Sequence, residues 1–130
     1  MEDKGLENKK KVYDLEERTA ILGEQIILLA KKLPYNEINK PLMSQLIRSA
    51  TSIGANYMEA DVAESKKDFQ HKIGICKKET KETLHWLRLI MFANANLKIE
   101  CEKLKNETHE LLLIFASILN KCKMNSLSNR

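Results

Sequence analysis

Apolar residues recur along this chain at spacings of three and four, in four successive runs separated by Gly, Pro or small polar residues. Val12, Leu15, Thr19, Leu22, Ile26, Leu29 and Leu33 form the first run, and that rhythm places every member on one face of an α-helix. "KKLP" closes it, because Lys31 and Lys32 suit the negative end of the helix dipole and Pro34 blocks continuation. The second run is Leu42, Leu46, Ser49, Ile53, Asn56, Ala60 and Ala63, with Pro41 in its first turn and Asn39 near its cap. "ESKKDF" (64–69) marks the next break, since Ser65 can cap a new helix with Asp68 at its third position. Phe69, Ile73, Cys76, Thr80, Thr83 or Leu84, Leu87 and Ile90 follow, up to a stop near "ANAN" (93–96). Leu97, Cys101, Leu104, Thr108, Leu111, Phe115, Ile118 and Cys122 complete the set before the polar tail "NSLSNR".

The pattern predicts helices over about 12–33, 40–64, 66–94 and 98–123, with residues 1–10 and 124–130 as flexible ends. Four long helices with short connections imply an all-α fold, an antiparallel up-and-down four-helix bundle. With 130 residues, of which 43% are hydrophobic, the chain suits one domain with a real core. No run approaches the roughly 18 apolar residues of a membrane span, and "MEDKGLENKKK" offers no apolar signal segment. The expectation is a cytoplasmic protein that does not engage membranes. Cys76, Cys101 and Cys122 form no CxxC pair and read as small core residues rather than as a disulfide framework or zinc site.

"ATSIGANYMEA" (50–60) places Gly54 and small or polar neighbours in mid-helix, where Gly costs about 0.5–1 kcal/mol relative to Ala. If helices two and three form a hairpin about Ser65 and Lys66, residues whose numbers sum to about 131 face each other. That register sets Gly54 and Ala55 against the Cys76 region, Tyr57 against Gly74, Arg48 near Glu82 and Ser52 near Glu79. Close helix approach is then the use expected of Gly54 and Gly74. "SIGAN" lacks the further glycines and the lysine of a phosphate-cradling loop.

Charge is distributed unevenly. Residues 66–98 hold eight basic and three acidic side chains, more than the whole net charge of +4. Lys67, His71, Gly74, Lys78, Lys81, His85 and Arg88 recur at heptad spacing beside the apolar stripe, with Lys72 and Lys77 at the edges. This makes a basic ridge about 30 Å long, diluted by Glu79 and Glu82. Clustered Lys and Arg attract phosphates and release counterions, so weak, sequence-tolerant binding of RNA or DNA is one expectation for Lys67, Lys72, Lys77, Lys78, Lys81 and Arg88. A structural or adaptor protein, whose ridge meets an acidic partner or only solvent, is the other.

Catalytic chemistry finds little support. "ETLH" (82–85) matches the Glu-x-x-His element of di-iron bundles, whose chemistry needs that pair twice with two further glutamates, and only one copy is present. A nucleophile at Cys76 would need a base within hydrogen-bond reach, whereas His71 and His85 belong to the outer stripe. No enzyme activity, metal or other cofactor is expected.

"LIRSATSIGANYMEADVAESKKDFQHKIGICKKETKETLHWLRL" (46–89), together with "DLEERTAILGEQIILLAKKLP" (14–34), resembles the four-helix-bundle proteins encoded by intervening sequences of bacterial 23S ribosomal RNA genes, the S23 family. That family is similar to the accessory variability protein of diversity-generating retroelements. The resemblance implies a ring-shaped homopentamer with a basic surface that engages nucleic acid or a nucleic-acid-bound protein, and no catalytic activity. Its motif falls on Arg48, Ser52, Gly54, Asn56, Tyr57, Glu59, Glu64, Lys67, Asp68, Phe69, Lys72, Lys78, Glu79, Glu82 and Trp86. Cys76, Gly74 and His85 depart from it, standing where alanine, a larger residue and tyrosine are expected. Of the motif residues, Arg48, Ser52, Gly54, Asn56, Tyr57, Glu59, Glu79, Glu82 and Trp86 are expected at helix packing or subunit contacts. Asn56 and Glu59 are more polar than a monomer core requires, and Trp86 could anchor a neighbouring protomer.

Overall fold

Asp14 starts the first helix, its carboxylate accepting a hydrogen bond from the Glu17 amide at 3.2 Å. This computed structural model describes residues 14–128, so Val12 and the whole of the expected flexible N-terminal end, 1–10, lie outside the described residues. Four α-helices are present among them: α1 (Leu15–Lys32), α2 (Asn39–Asp61), α3 (Lys66–Ala93) and α4 (Lys98–Ser128), with a 3-10 turn at Ala95–Leu97 before α4. They form an all-α four-helix bundle in which successive helices pack side by side and α4 returns to α1 along the loosest seam.

Local chemistry explains most boundaries. Lys31 and Lys32 occupy the last turn of α1, and the Ser65 hydroxyl caps α3 by accepting from the Asp68 amide at 3.0 Å. The start of α2 is built differently from expectation. Asn36 makes the cap, its Oδ1 accepting from the Ile38 and Asn39 amides at 3.1 and 2.8 Å, while Asn39 turns inward and is buried. Asn39 and Asn94 exchange amide hydrogen bonds of 3.0 and 2.9 Å, and Asn39 Nδ2 also donates to the Pro34 carbonyl at 2.9 Å. This pair joins the α1–α2 connection to the end of α3. Helix α2 stops at Asp61, three residues short of the expected end, and α4 continues through the tail to Ser128.

Buried side chains follow the three-four rhythm. Leu22, Ile26, Leu46, Ile53, Ile73, Leu87, Ile90, Leu111 and Phe115 are almost wholly enclosed, and the rings of Tyr57 and Phe115 meet across the bundle with centroids 6.3 Å apart. Tyr57 therefore reaches α4, whereas the hairpin register had set it against Gly74. Arg18 is buried as well. It closes the α1–α4 seam through a two-pronged ion pair, Nη2 to Glu107 Oε1 at 2.7 Å and Nε to Oε2 at 3.1 Å. Those hydrogen bonds and the neighbouring Glu110 raise the Arg18 pKa further.

Gly54 and Gly74, the two glycines expected at a close approach, differ. A Cβ on Gly54 would lie 3.2 Å from Thr19 Oγ1, and that hydroxyl is held by hydrogen bonds to the Leu15 and Glu16 carbonyls at 2.7 and 3.1 Å. Gly54 thus admits α1, not the Cys76 region of α3. Around Gly74 no other part of the described residues lies within 4 Å of an added Cβ, so this glycine serves no close approach among them. Gly74→Ala is expected to stabilise the fold by about 0.5–1 kcal/mol, because alanine removes chain entropy from the unfolded state and meets no obstacle in the helix. Gly54→Ala should forfeit that gain against Thr19. Thermal melting of the two variants checks the contrast; equal shifts would contradict it.

Candidate nucleic-acid interface

The phase of α3 decides where its charges go. With Ile73, Cys76, Thr80, Thr83, Leu87 and Ile90 buried, the side chains of Lys67, His71, Lys78, Lys81, His85 and Arg88 are left exposed on the outer face. Lys77 is exposed too. It stands on the α4 side of the ridge, seven residues from Gln70 and Leu84, both of which line clefts against α4. Among the described residues no ion pair engages Lys67, Lys77, Lys78, Lys81 or Arg88. Lys72 is different: it is half-buried and its Nζ donates to Glu59 Oε1 at 3.1 Å.

Glu79 and Glu82 face away from the ridge. Arg48 Nη1 donates to Glu79 Oε2 at 3.2 Å, Arg48 Nη2 bonds Glu82 Oε1, and Arg48 Nε is held by Gln45 Oε1 at 3.0 Å. The Glu79 side chain is only 11% exposed, so its charge is spent inside the α2–α3 seam rather than on the ridge. Arg48 with Glu82, Ser49 with Thr83 (2.9 Å) and Glu59 with Lys72 all lie on the hairpin register expected from the sequence. Ser52 does not meet Glu79, because its hydroxyl donates to the Arg48 carbonyl at 2.7 Å within its own helix. Asn56 Nδ2 likewise donates to the Ser52 carbonyl at 2.8 Å. Asn56 Nδ2 and Glu59 Oε1 thus each have a partner within the chain. Trp86 is half-buried against the core, donates to Glu82 Oε1 at 3.3 Å and holds the His85 ring edge-on with centroids 5.1 Å apart.

One feature of this face was not legible before the helices were assembled. Lys81, His85 and Arg88 form one wall of a cleft of about 520 Å3, and Lys105, Asn106 and His109 of α4 form the other. Leu84 and Leu112 line its apolar part, and Glu102 is the single carboxylate in it. Lys105 and His109 thereby extend the basic surface onto a second helix. Lys105 and His109 stand four residues apart on α4, a spacing that points to no site until the α3–α4 register brings it opposite Lys81 and Arg88.

The opposite side of the bundle is acidic. A cleft of about 510 Å3 between α1 and α2 is lined by Asp14, Glu16, Glu17 and Glu24, with the small residues Gly23, Gly54 and Ala55 beneath and the exposed Ile27 and Met58 alongside. Among the described residues no group of three or more His, Cys, Asp or Glu side chains could hold a metal ion. No helix among them is long and apolar enough to cross a membrane.

Comparison with known proteins agrees with this architecture. No curated protein matches the chain. A crystal structure of a protein of unknown function from the S23 ribosomal protein family, from Bacteroides thetaiotaomicron, is 31% identical and superposes with a TM-score of 0.70, covering 80% of this chain and 96% of that one. The family model for the 23S rRNA-intervening sequence protein matches residues 11–117, and the chain belongs to that family.

Proposed function

We propose that this protein is a noncatalytic, self-associating bundle, a homopentamer as its family resemblance implies, that binds nucleic acid weakly and without sequence preference through the outer face of α3. The observation that carries this reading is the separation of charge on α3. Its two glutamates are drawn to Arg48, while Lys67, Lys77, Lys78, Lys81 and Arg88 stay exposed and without an ion pair among the described residues. An exposed row of cations about 30 Å long suits a phosphate backbone, and it offers no set of base-reading side chains inserted from one element into a groove. Counterion release then supplies the affinity.

Lys78→Gln with Lys81→Gln should weaken binding to every sequence alike and lower the slope of log K against log salt by about 0.9 per lost duplex contact. Electrophoretic shift at a series of salt concentrations measures it. An unchanged slope would remove these two lysines from the interface.

A second reading has one observation in its favour, the acidic α1–α2 cleft. Asp14, Glu16, Glu17 and Glu24 there complement the ridge in sign, so the cations of one copy, or of an adaptor's interface, would meet carboxylates instead of phosphates. Under that reading the solution mass, not nucleic-acid affinity, falls when salt is raised.

A further inference from the structure

We infer that the α3–α4 cleft is a nucleoside seat, which makes the protein favour single-stranded over duplex nucleic acid. The inference rests on the nucleic-acid reading above and deepens it. The outer ridge alone gives no preference for single strands, because a duplex presents phosphates at the higher charge density. The cleft is different in chemistry. Its volume of about 520 Å3 falls within the range of about 300–1,000 Å3 typical of small-molecule sites. Half-buried Leu84 and Leu112 supply an apolar surface, which phosphate does not need and the face of a base does. His85 and His109 bring exposed flat rings from opposite helices, and the Trp86 edge contact limits the freedom of the first.

Glu102 is the telling member. A carboxylate repels phosphate, so its presence among Lys81, Arg88 and Lys105 weakens a purely electrostatic anion site. It accepts hydrogen bonds, however, from the exocyclic amines of bases and from the ribose 2′-hydroxyl. The arrangement therefore reads as a seat for base and sugar, with Lys81 and Arg88 on one wall and Lys105 on the other placed for the flanking phosphates. Bases in a duplex are paired and stacked inward and cannot enter a cleft between two helices. Bases of a single strand can turn out and stack on flat side chains.

Glu102→Ala distinguishes a nucleoside seat from a charge effect by its sign. Fluorescence anisotropy with the full-length protein would use a labelled 20-nucleotide RNA strand of adenosine and cytidine, whose bases carry exocyclic amines and do not pair with one another, and a 20-base-pair RNA duplex at fixed low salt. The wild type is expected to bind the single strand roughly tenfold more tightly, the size of one stacked base. Glu102→Ala should lower single-strand affinity several-fold while leaving duplex affinity unchanged or slightly higher. His109→Ala should lower single-strand affinity selectively, whereas Lys78→Gln, outside the cleft, should weaken both. Equal wild-type affinities, or tighter binding of both nucleic acids by Glu102→Ala, would overturn the seat and leave the ridge standing. Absence of binding to either nucleic acid would overturn the ridge reading and the seat together. Helical content and melting temperature of each variant confirm that the fold persists, since Ala is well tolerated at these helix positions.

Discussion

Asn39→Leu is expected to destabilise the bundle by about 2–4 kcal/mol, although it replaces a polar residue with an apolar one at a buried site. Asn39 and Asn94 are 2% and 6% exposed. Removal of the Asn39 amide leaves two acceptors without their donor, Asn94 Oδ1 and the Pro34 carbonyl. The loss at Asn94 Oδ1 is in a buried setting and costs about 1–3 kcal/mol, and the part-buried bond to the Pro34 carbonyl adds to it, together more than the added apolar surface returns. Asn94 Nδ2 keeps its bond to the Ile90 carbonyl at 3.0 Å, which limits the damage on that side. The double variant, with Asn94→Leu added, should be less destabilised than the sum of the two single variants, because it no longer buries an orphaned amide. Urea unfolding of the four proteins measures the coupling. Strict additivity would mean that the reciprocal amide pair does not act as a unit.

That pair also shows where the sequence stops being readable. Asn39 and Asn94 each sit at a helix boundary, where asparagine is expected as a cap or a stop, and nothing in their spacing tells that 55 residues of chain return one to the other. Arg18 is a similar case. It lies beside an apolar stripe like many surface arginines, and its partner Glu107 is on α4, so only the closed bundle shows why the charge can be buried. The helix phases, the Ser65 cap and the α2–α3 register were legible, because each rests on residues close in sequence or on one short turn. With Ser65 as the cap, Arg48–Glu82 follows by counting outward from it, and Glu59–Lys72 falls on the same register, although Ser52 turns to its own helix and misses Glu79. The α3–α4 register had no such origin, since the connection passes through the 3-10 turn at Ala95–Leu97. Lys105, Glu102 and His109 therefore could not be placed opposite Lys81 and Arg88 by spacing alone. The sequence marks Gly54 as a point of close approach without showing to which helix, and the small face of α2 is used there by α1 rather than by α3.

Cys76 is expected to make the protein lose stability at alkaline pH. Its side chain is fully enclosed between α2 and α3, with Sγ 3.6 Å from the Ile53 carbonyl, and burial pushes the thiol pKa from 9.0 up to about 12. In the unfolded chain the thiol loses its proton above about 9, whereas in the folded chain it keeps it to about 12. Between those values the unfolded state binds fewer protons, so stability falls as pH rises, by about 1.4 kcal/mol per pH unit from this group. Below about 9 both states hold the proton and the contribution is fully present. Burial also raises the Tyr57 hydroxyl, with Asp61 adding to the effect, and raises the Cys101 thiol, so both act in the same direction. Urea midpoints at pH 8.5, 10 and 11 in reducing buffer should therefore fall steeply for the wild type. Cys76→Ala, although less stable at pH 8.5 through lost packing, should lose stability more slowly across that range because only Tyr57 and Cys101 still titrate against burial. Parallel slopes for the two proteins would show that the Cys76 thiolate is tolerated in the folded bundle. A shallower slope in the variant would identify the enclosed thiol as a main source of the stability lost at high pH.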